Sequence, residues 1–271
     1  MKKVQLTRRD ERMLEWLAVM RMADVDAIRW ALGAMRSAGS PVGIRVAQRW
    51  VARMRSVGLV AAARPGFATR SVVWPSPADT GVRAPDLFRL GTRHEVAVAA
   101  SSARYLAAGY TWTPDPMYVG RQPGARGRVH VADGAVRATP IGLPDLVEVE
   151  LTAKSIGRYA LIRKQFARRL ELGEIGRVIY LCEPSAAAAV RKHLVGGLVP
   201  SLAERVEVVT VFDRMGLWVS DWTPASVREA DGAAAVPLRS TLPSSVLGAG
   251  VESGARESAG LQEDVLAGWV R

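Results

Sequence analysis

The sequence predicts an α/β protein in two parts, a small helical module followed by a larger one built on a single mixed sheet. Three observations carry this. Apolar residues recur at helical spacing through the first sixty positions or so, and β-like runs alternate with helical stripes between residues 90 and 222. A stretch rich in Pro, Gly, Ser and Asp, from Pro75 to Pro85, separates the two. The charge is uneven: residues 1–76 carry 14 Lys/Arg against 5 Asp/Glu, residues 77–222 carry 19 against 15, and residues 223–271 carry 4 against 6.

In the first part, Thr7-Arg8-Arg9-Asp10 opens a helix with a capping box, and Met13, Leu14, Leu17 and Ala18 form its apolar stripe. A second helix is expected from Val25 to Leu32, begun by Asp24 and stopped by Gly33. In a third, Ile44, Ala47, Val51 and Met54 make one buried stripe while Arg45, Gln48, Arg49 and Arg53 occupy another, and Gly58 ends it. Two β-like runs follow, Leu59–Ala63 and Ser71–Trp74, joined by a loop that carries Arg64 and Arg70.

Three helices and a hairpin in that order predict a winged helix-turn-helix over residues 1–76, whose third helix enters a groove of double-stranded DNA while the hairpin is the wing. Arg49 and Arg53 suit guanine edges and Gln48 suits adenine, whereas Arg64 and Arg70 suit phosphates. The competing expectation is a plain solvated basic face on a small helical domain. A net charge of +11 agrees with a polyanionic partner.

Residues 77–89 are expected to be a linker. Beyond it, Thr92–Ala108 reads as a helix with Val96, Ala99, Ala103 and Leu106 on its apolar stripe. A loop from Gly109 to Gly127 leads to β-like Arg128–Val131, a turn at Asp133-Gly134 and a strand over Ala135–Thr139. Leu146–Leu151 is the next strand. Thr152 is a candidate cap for a helix reaching Leu172, with Tyr159, Ile162, Phe166 and Leu170 inside and Arg158, Lys164, Arg168 and Arg169 outside. Strand Val178–Cys182, helix Ser185–Leu194, strand Val206–Phe212 and a short edge at Leu217–Ser220 complete a domain over residues 90–222. From Thr223 onward Ala, Ser, Gly, Pro and Val dominate without periodicity, so residues 223–271 are expected to be mostly disordered, with Leu261–Val270 able to form a short helix that docks on a protein partner or on the body of the chain.

The bulk composition excludes several classes. A hydrophobic fraction of 49% with 23% charged residues is that of a globular chain. No apolar run reaches the roughly 18 residues needed to cross a bilayer, and the basic start has no apolar core behind it, so neither a membrane span nor a secretory signal is expected. A lone cysteine, Cys182, rules out an internal disulfide framework and a multi-cysteine zinc site, and a reducing cytoplasm is the expected compartment.

The sharpest local signal is the strand Val147-Glu-Val-Glu-Leu151. A strand repeats every two residues, so Glu148 and Glu150 share one face and repel each other unless something positive lies nearby. A hairpin pairing would bring Asp133 beside Glu148. Carboxylates converging in this way suit a hard divalent cation, Mg²⁺ or Mn²⁺, which polarises a phosphoryl group and lowers the pKa of an attacking water. Lys154 could then stabilise developing charge. The plain alternative is the solvent side of an edge strand with Lys154 as a surface partner. His94 and His130 are candidate ligands or bases, although a lone histidine more often serves a local hydrogen bond. Pro144-Asp145 reads as a turn before the strand.

This arrangement resembles the PD-(D/E)XK nuclease superfamily over roughly residues 90–220. Ala132-Asp133-Gly134 stands for its first acidic motif, Glu148-Val149-Glu150 for the second, and Glu95 for its helical glutamate. The family's lysine position holds Glu150, with Lys154 as a substitute from the following helix. The resemblance implies a restriction-endonuclease-like mixed sheet flanked by helices, metal ligation by Asp133, Glu148 and Glu150, and catalysis by these three with Lys154. The whole chain is also similar to the replication-relaxation family of plasmid and mobile-element proteins, through "LTRRDERMLEWLAVMRMADVDAIRWAL", "RHEVAVAASSARYL" and "VEVELTAKSIGRYALI". That resemblance implies a role in replication, mobilisation or DNA relaxation of an extrachromosomal or integrative element, in which the nuclease-like half would nick or cleave DNA. The alternative is a non-enzymatic DNA-binding regulator or replication accessory factor with an inactive nuclease-like domain. A palindromic target would imply a homodimer.

Overall fold

The computed structural model describes residues 5–36, 39–66, 70–76, 84–114, 130, 132–225 and 227. The described residues all fall within one unit, residues 1–238. The expectations for the linker core, for the strand at Arg128–Val131 apart from His130, and for the tail beyond Val227 lie outside the described residues.

The first elements are α1 (Arg8–Met20), β1 (Ala23–Asp24), α2 (Val25–Ala34), α3 (Ile44–Ser56), β2 (Val60–Ala63) and β3 (Val72–Pro75). The strands form an antiparallel sheet in the order β1-β3-β2. The expected capping box is present: the Thr7 hydroxyl accepts from the Asp10 N–H, and the Asp10 carboxylate accepts from the Thr7 N–H. Asp24 caps α2 through the Ala27 N–H at 2.7 Å.

Three details of this region differ from the sequence reading. Ala18 is exposed and Trp16 lies in the core instead. Ile44 is 43% exposed at the first turn of α3, and Trp50 is buried in the stripe that Ile44 was expected to share. Gly33 does not stop α2. Its lack of a side chain admits the Ser40 carbonyl, which would lie 2.0 Å from a Cβ there, so close approach rather than a helix stop explains the glycine.

The remaining elements are α4 (Leu90–Ala107), β4 (Thr111–Thr113), β5 (Gly134–Arg137), β6 (Asp145–Glu150), α5 (Ile156–Glu171), β7 (Val178–Cys182), α6 (Pro184–His193), α7 (Pro200–Ala203) and β8 (Val206–Thr210). The five strands form one mixed sheet in sequential order, with β4, β5 and β6 antiparallel and β6, β7 and β8 parallel. Among the described residues the fold is therefore mixed α/β with seven helices and two sheets.

Here too the boundaries moved. β4 is an edge strand inside the segment read as loop, too short for a period-2 signal. Asp133-Gly134 is not a hairpin turn: Gly134 starts β5, and a Cβ there would lie 2.3 Å from the Trp112 ring. Ser155, not Thr152, caps α5 by accepting the Arg158 N–H. Tyr159, Ile162, Phe166 and Leu170 are all buried as expected, but Arg169 is buried with them and reaches Glu174 at 3.7 Å.

Strand alternation divides the core. Val147, Val149, Ile179 and Leu181 face a cluster that also holds Ala97, Ala100 and Ala103 of α4 and the interiors of α1, α2 and α3. Leu146, Tyr180 and Cys182 face the second cluster, under α5 and α6. The first cluster runs without a break from the three-stranded sheet to the five-stranded one. Polar contacts follow the same seam: Trp16 donates to the Ser102 hydroxyl at 3.2 Å, and buried Arg104 bonds Asp26 at 2.9 Å while lying 4.1 Å above the Trp218 ring. Residues from both sides of the expected linker thus share one core.

Among the described residues no helix is long and apolar enough to cross a membrane.

Candidate functional site

The parallel register puts Glu148 opposite Tyr180 and Glu150 opposite Cys182 at the C-terminal ends of β6 and β7. Both glutamates are buried, at 3% and 5% exposure, on the α5 side of the sheet. They are therefore not the solvent face of an edge strand. The end of an open sheet's parallel strands is where such folds hold ligands, which makes this cluster the first candidate.

Asp133 lies just before β5, opposite Glu148, since Gly134 pairs with Val147 and the Asp133 N–H donates to the Val147 carbonyl at 3.1 Å. Its carboxylate completes the ladder that β5 leaves open, because Oδ2 accepts the Val149 N–H at 2.7 Å. His94, from α4, supplies the other half: its Nε2 donates to the Val149 carbonyl at 3.1 Å and lies 3.3 Å from Asp133 Oδ1. Two side chains thus satisfy both backbone groups of Val149, a requirement for buried peptide. Burial pulls the His94 pKa down, but the Asp133 hydrogen bond and charge, the Val149 carbonyl and the Glu148 charge outweigh it and leave the imidazole raised.

Glu148 Oε1 meets His130 Nε2 at 2.7 Å. Arg158 Nη2, which can only donate, faces His130 Nδ1 at 3.5 Å, so the tautomer that presents Nε2–H to Glu148 is the one that fits. Gln165 accepts the His130 backbone N–H, fixing the residue against α5. Burial raises the Glu148 pKa, with His130 and Lys154 opposing and Asp133 adding to the rise. Glu150 Oε2 is bonded to Lys154 Nζ, and the Lys154 N–H is held by the Tyr159 hydroxyl at 3.1 Å. Burial lowers the Lys154 pKa while the Glu148 and Asp133 carboxylates oppose it. Among the described residues the buried Tyr180 hydroxyl has no hydrogen-bond partner, and burial followed by the Glu148 charge keeps it protonated.

Three carboxylates therefore face three bases. Asp133 is engaged by Val149 and His94, Glu148 by His130, and Glu150 by Lys154. Among the described residues no three His, Cys, Asp or Glu side chains are placed to share a metal ion. Glu95 pairs with Arg21 at 3.4 Å. Asp145 holds Arg177 at 2.8 Å at the start of β6.

The second candidate is the outer face of α3. Arg45, Gln48 and Arg49 are exposed and line one shallow depression with Ala52. Arg64, after β2, is also exposed. Two other arginines expected to contact DNA lie beside acids of the same region. Arg53 bonds the buried Asp10 carboxylate, which also accepts from Trp50 Nε1 at 2.9 Å. Arg70 lies 3.8 Å from Asp24 and 3.7 Å from Asp26. Burial works to raise the Asp10 pKa, but the hydrogen bonds from Arg53, Thr7 and Trp50 prevail and hold it at about 2.

The sequence reading reached Asp133, Glu148, Glu150 and Lys154 and weighed His94 and His130 without placing them. Tyr180, Gln165 and Arg158 entered the cluster unannounced, because strand pairing and helix docking bring them there and no spacing in the chain encodes it. Comparison with protein-family models, with curated proteins and with solved structures finds no match for this chain.

Proposed function

We propose that the chain binds double-stranded DNA through α3 and the β2–β3 hairpin, in the manner of a winged helix, and that its nuclease-like half supports this binding without cutting. The observation that carries the reading is the face of α3. Arg45, Gln48 and Arg49 stand exposed on one side of a helix that contains no Asp or Glu, while Ala47, Trp50, Val51 and Met54 bury the other. Cationic and amide side chains on a free helix face are the groups that read phosphates and base edges. The order helix, strand, two helices and hairpin supports the same reading. For the second half, support comes from the order α4-β4-β5-β6-α5-β7, antiparallel then parallel, with Asp133 opposite Glu148. A regulator or replication accessory factor of a plasmid or mobile element fits these properties.

The pairing of each acid with a base argues for binding over cleavage. The second reading, Mg²⁺- or Mn²⁺-dependent cleavage with Asp133, Glu148, Glu150 and Lys154, is favoured by one observation, the convergence of these acids at the strand ends. The binding reading is tested by fluorescence anisotropy with duplex DNA across a salt series. Affinity that falls with salt in the wild type and is lost in an R45A/R49A variant supports it. A wild type that binds no duplex at low salt overturns it.

A further inference from the structure

We infer that Lys154 is a built-in counter-cation for Asp133, Glu148 and Glu150, holding by its ammonium the place that a divalent metal takes in comparable carboxylate clusters. The inference stands apart from DNA binding by α3 and rests on contacts alone. Glu150 and Lys154 are bonded to each other and both are largely buried, with side chains 7% and 27% exposed. The backbone before α5 is shaped to deliver the ammonium: Ser155 caps the helix, and the Tyr159 hydroxyl, itself on a fully buried ring, accepts the Lys154 N–H. Glu148 lies two residues before Glu150 on the same face of β6, and Asp133 stands opposite Glu148, so the ammonium meets at Glu150 one end of a run of three neighbouring acids.

His130 and His94 complete the compensation. His130 donates to Glu148, and His94 lies beside Asp133, so with Lys154 at Glu150 each of the three carboxylates has its own basic partner. Two buried glutamates beside a half-buried aspartate need compensating charge, and here the chain supplies it. Removing the ammonium without removing volume should leave the acids under-compensated and open to an added hard cation.

The test is Mn²⁺ binding to the full chain, followed by electron paramagnetic resonance, in the wild type, K154M and K154M/E150Q. The wild type should show no site tighter than about 1 mM, K154M should gain a single site at least about tenfold tighter than that, and the added E150Q should remove it. A stoichiometric site in the wild type that D133A or E150Q abolishes overturns the inference, as does a folded K154M that gains no affinity. If K154M does not fold, a double-mutant cycle with E150Q decides. Recovery of folding in K154M/E150Q supports the pairing, because both buried charges are then gone. If neither variant folds, the wild-type titration decides alone by the same two outcomes.

Discussion

Asp133 stands in for a strand at Val149: its Oδ2 accepts the Val149 N–H at 2.7 Å, just where β5 has yet to begin. The carboxylate is thus a backbone ligand whatever else it does. Asp133→Ala should destabilise the fold by about 1–3 kcal/mol, the cost of leaving a buried peptide N–H unpaired. Asp133→Asn keeps an acceptor and should lose much less. Urea unfolding of the two variants separates this role from a purely catalytic one, in which both would lose activity and neither would lose stability.

Asp10 links α1 to α3 through Arg53 and Trp50, and its hydrogen bonds hold its pKa at about 2 against an ordinary value of 3.8. A carboxylate depressed on folding stabilises the native state above its unfolded pKa and loses that contribution as pH falls toward the folded one. Stability should therefore decline between about pH 4 and pH 2, and Asp10→Asn should flatten that part of the profile. Thermal melts across that range measure the difference. An unchanged slope in the variant would mean that other carboxylates govern the acid limb.

The same pairing separates Arg53 from its neighbours on α3. Arg49→Ala should weaken DNA binding by about 1–3 kcal/mol and relax base preference, as loss of a base-edge contact does. Arg64→Ala should lower affinity evenly across sequences and reduce the salt slope by about 1. Arg53→Ala should act first on stability, because it strips a partner from a buried carboxylate. Anisotropy against a panel of duplexes, with unfolding curves alongside, distinguishes the three.

Gly33 admits the backbone of Ser40 at a distance no Cβ allows. Gly33→Ala should cost about 1–3 kcal/mol through overpacking despite alanine's better helix propensity. A stabilised variant would show that the loop can move aside.

Much of the fold was legible in the sequence where burial is periodic. The stripe of Tyr159, Ile162, Phe166 and Leu170 predicts α5, and all four residues lie in the core. Capping chemistry located the starts of α1 and α2 at Thr7 and Asp24. Glycine misled twice, at Gly33 and Gly134, because a glycine needed for close packing looks in sequence like one needed for a turn. The acids of the cluster were legible by their spacing. Lys154 was legible with them, four residues past Glu150, but the histidine partners were not placed, because His94 comes from α4 and His130 is held by Gln165 of α5, and only packing brings them to β6. That Arg53 and Arg70 turn toward Asp10 and toward Asp24 and Asp26 was equally hidden. A stripe of arginines predicts a surface, and a buried acid underneath decides which of them stay free.

The central claim, that the chain holds DNA without breaking it, is tested most directly on supercoiled plasmid with Mg²⁺ or Mn²⁺, following mobility shift and topology in the same gel. We expect a shifted, intact supercoiled band in the wild type and no shift in the R45A/R49A variant. Conversion to open circle or linear DNA by the wild type, abolished by Asp133→Ala and by Glu148→Ala, would contradict it.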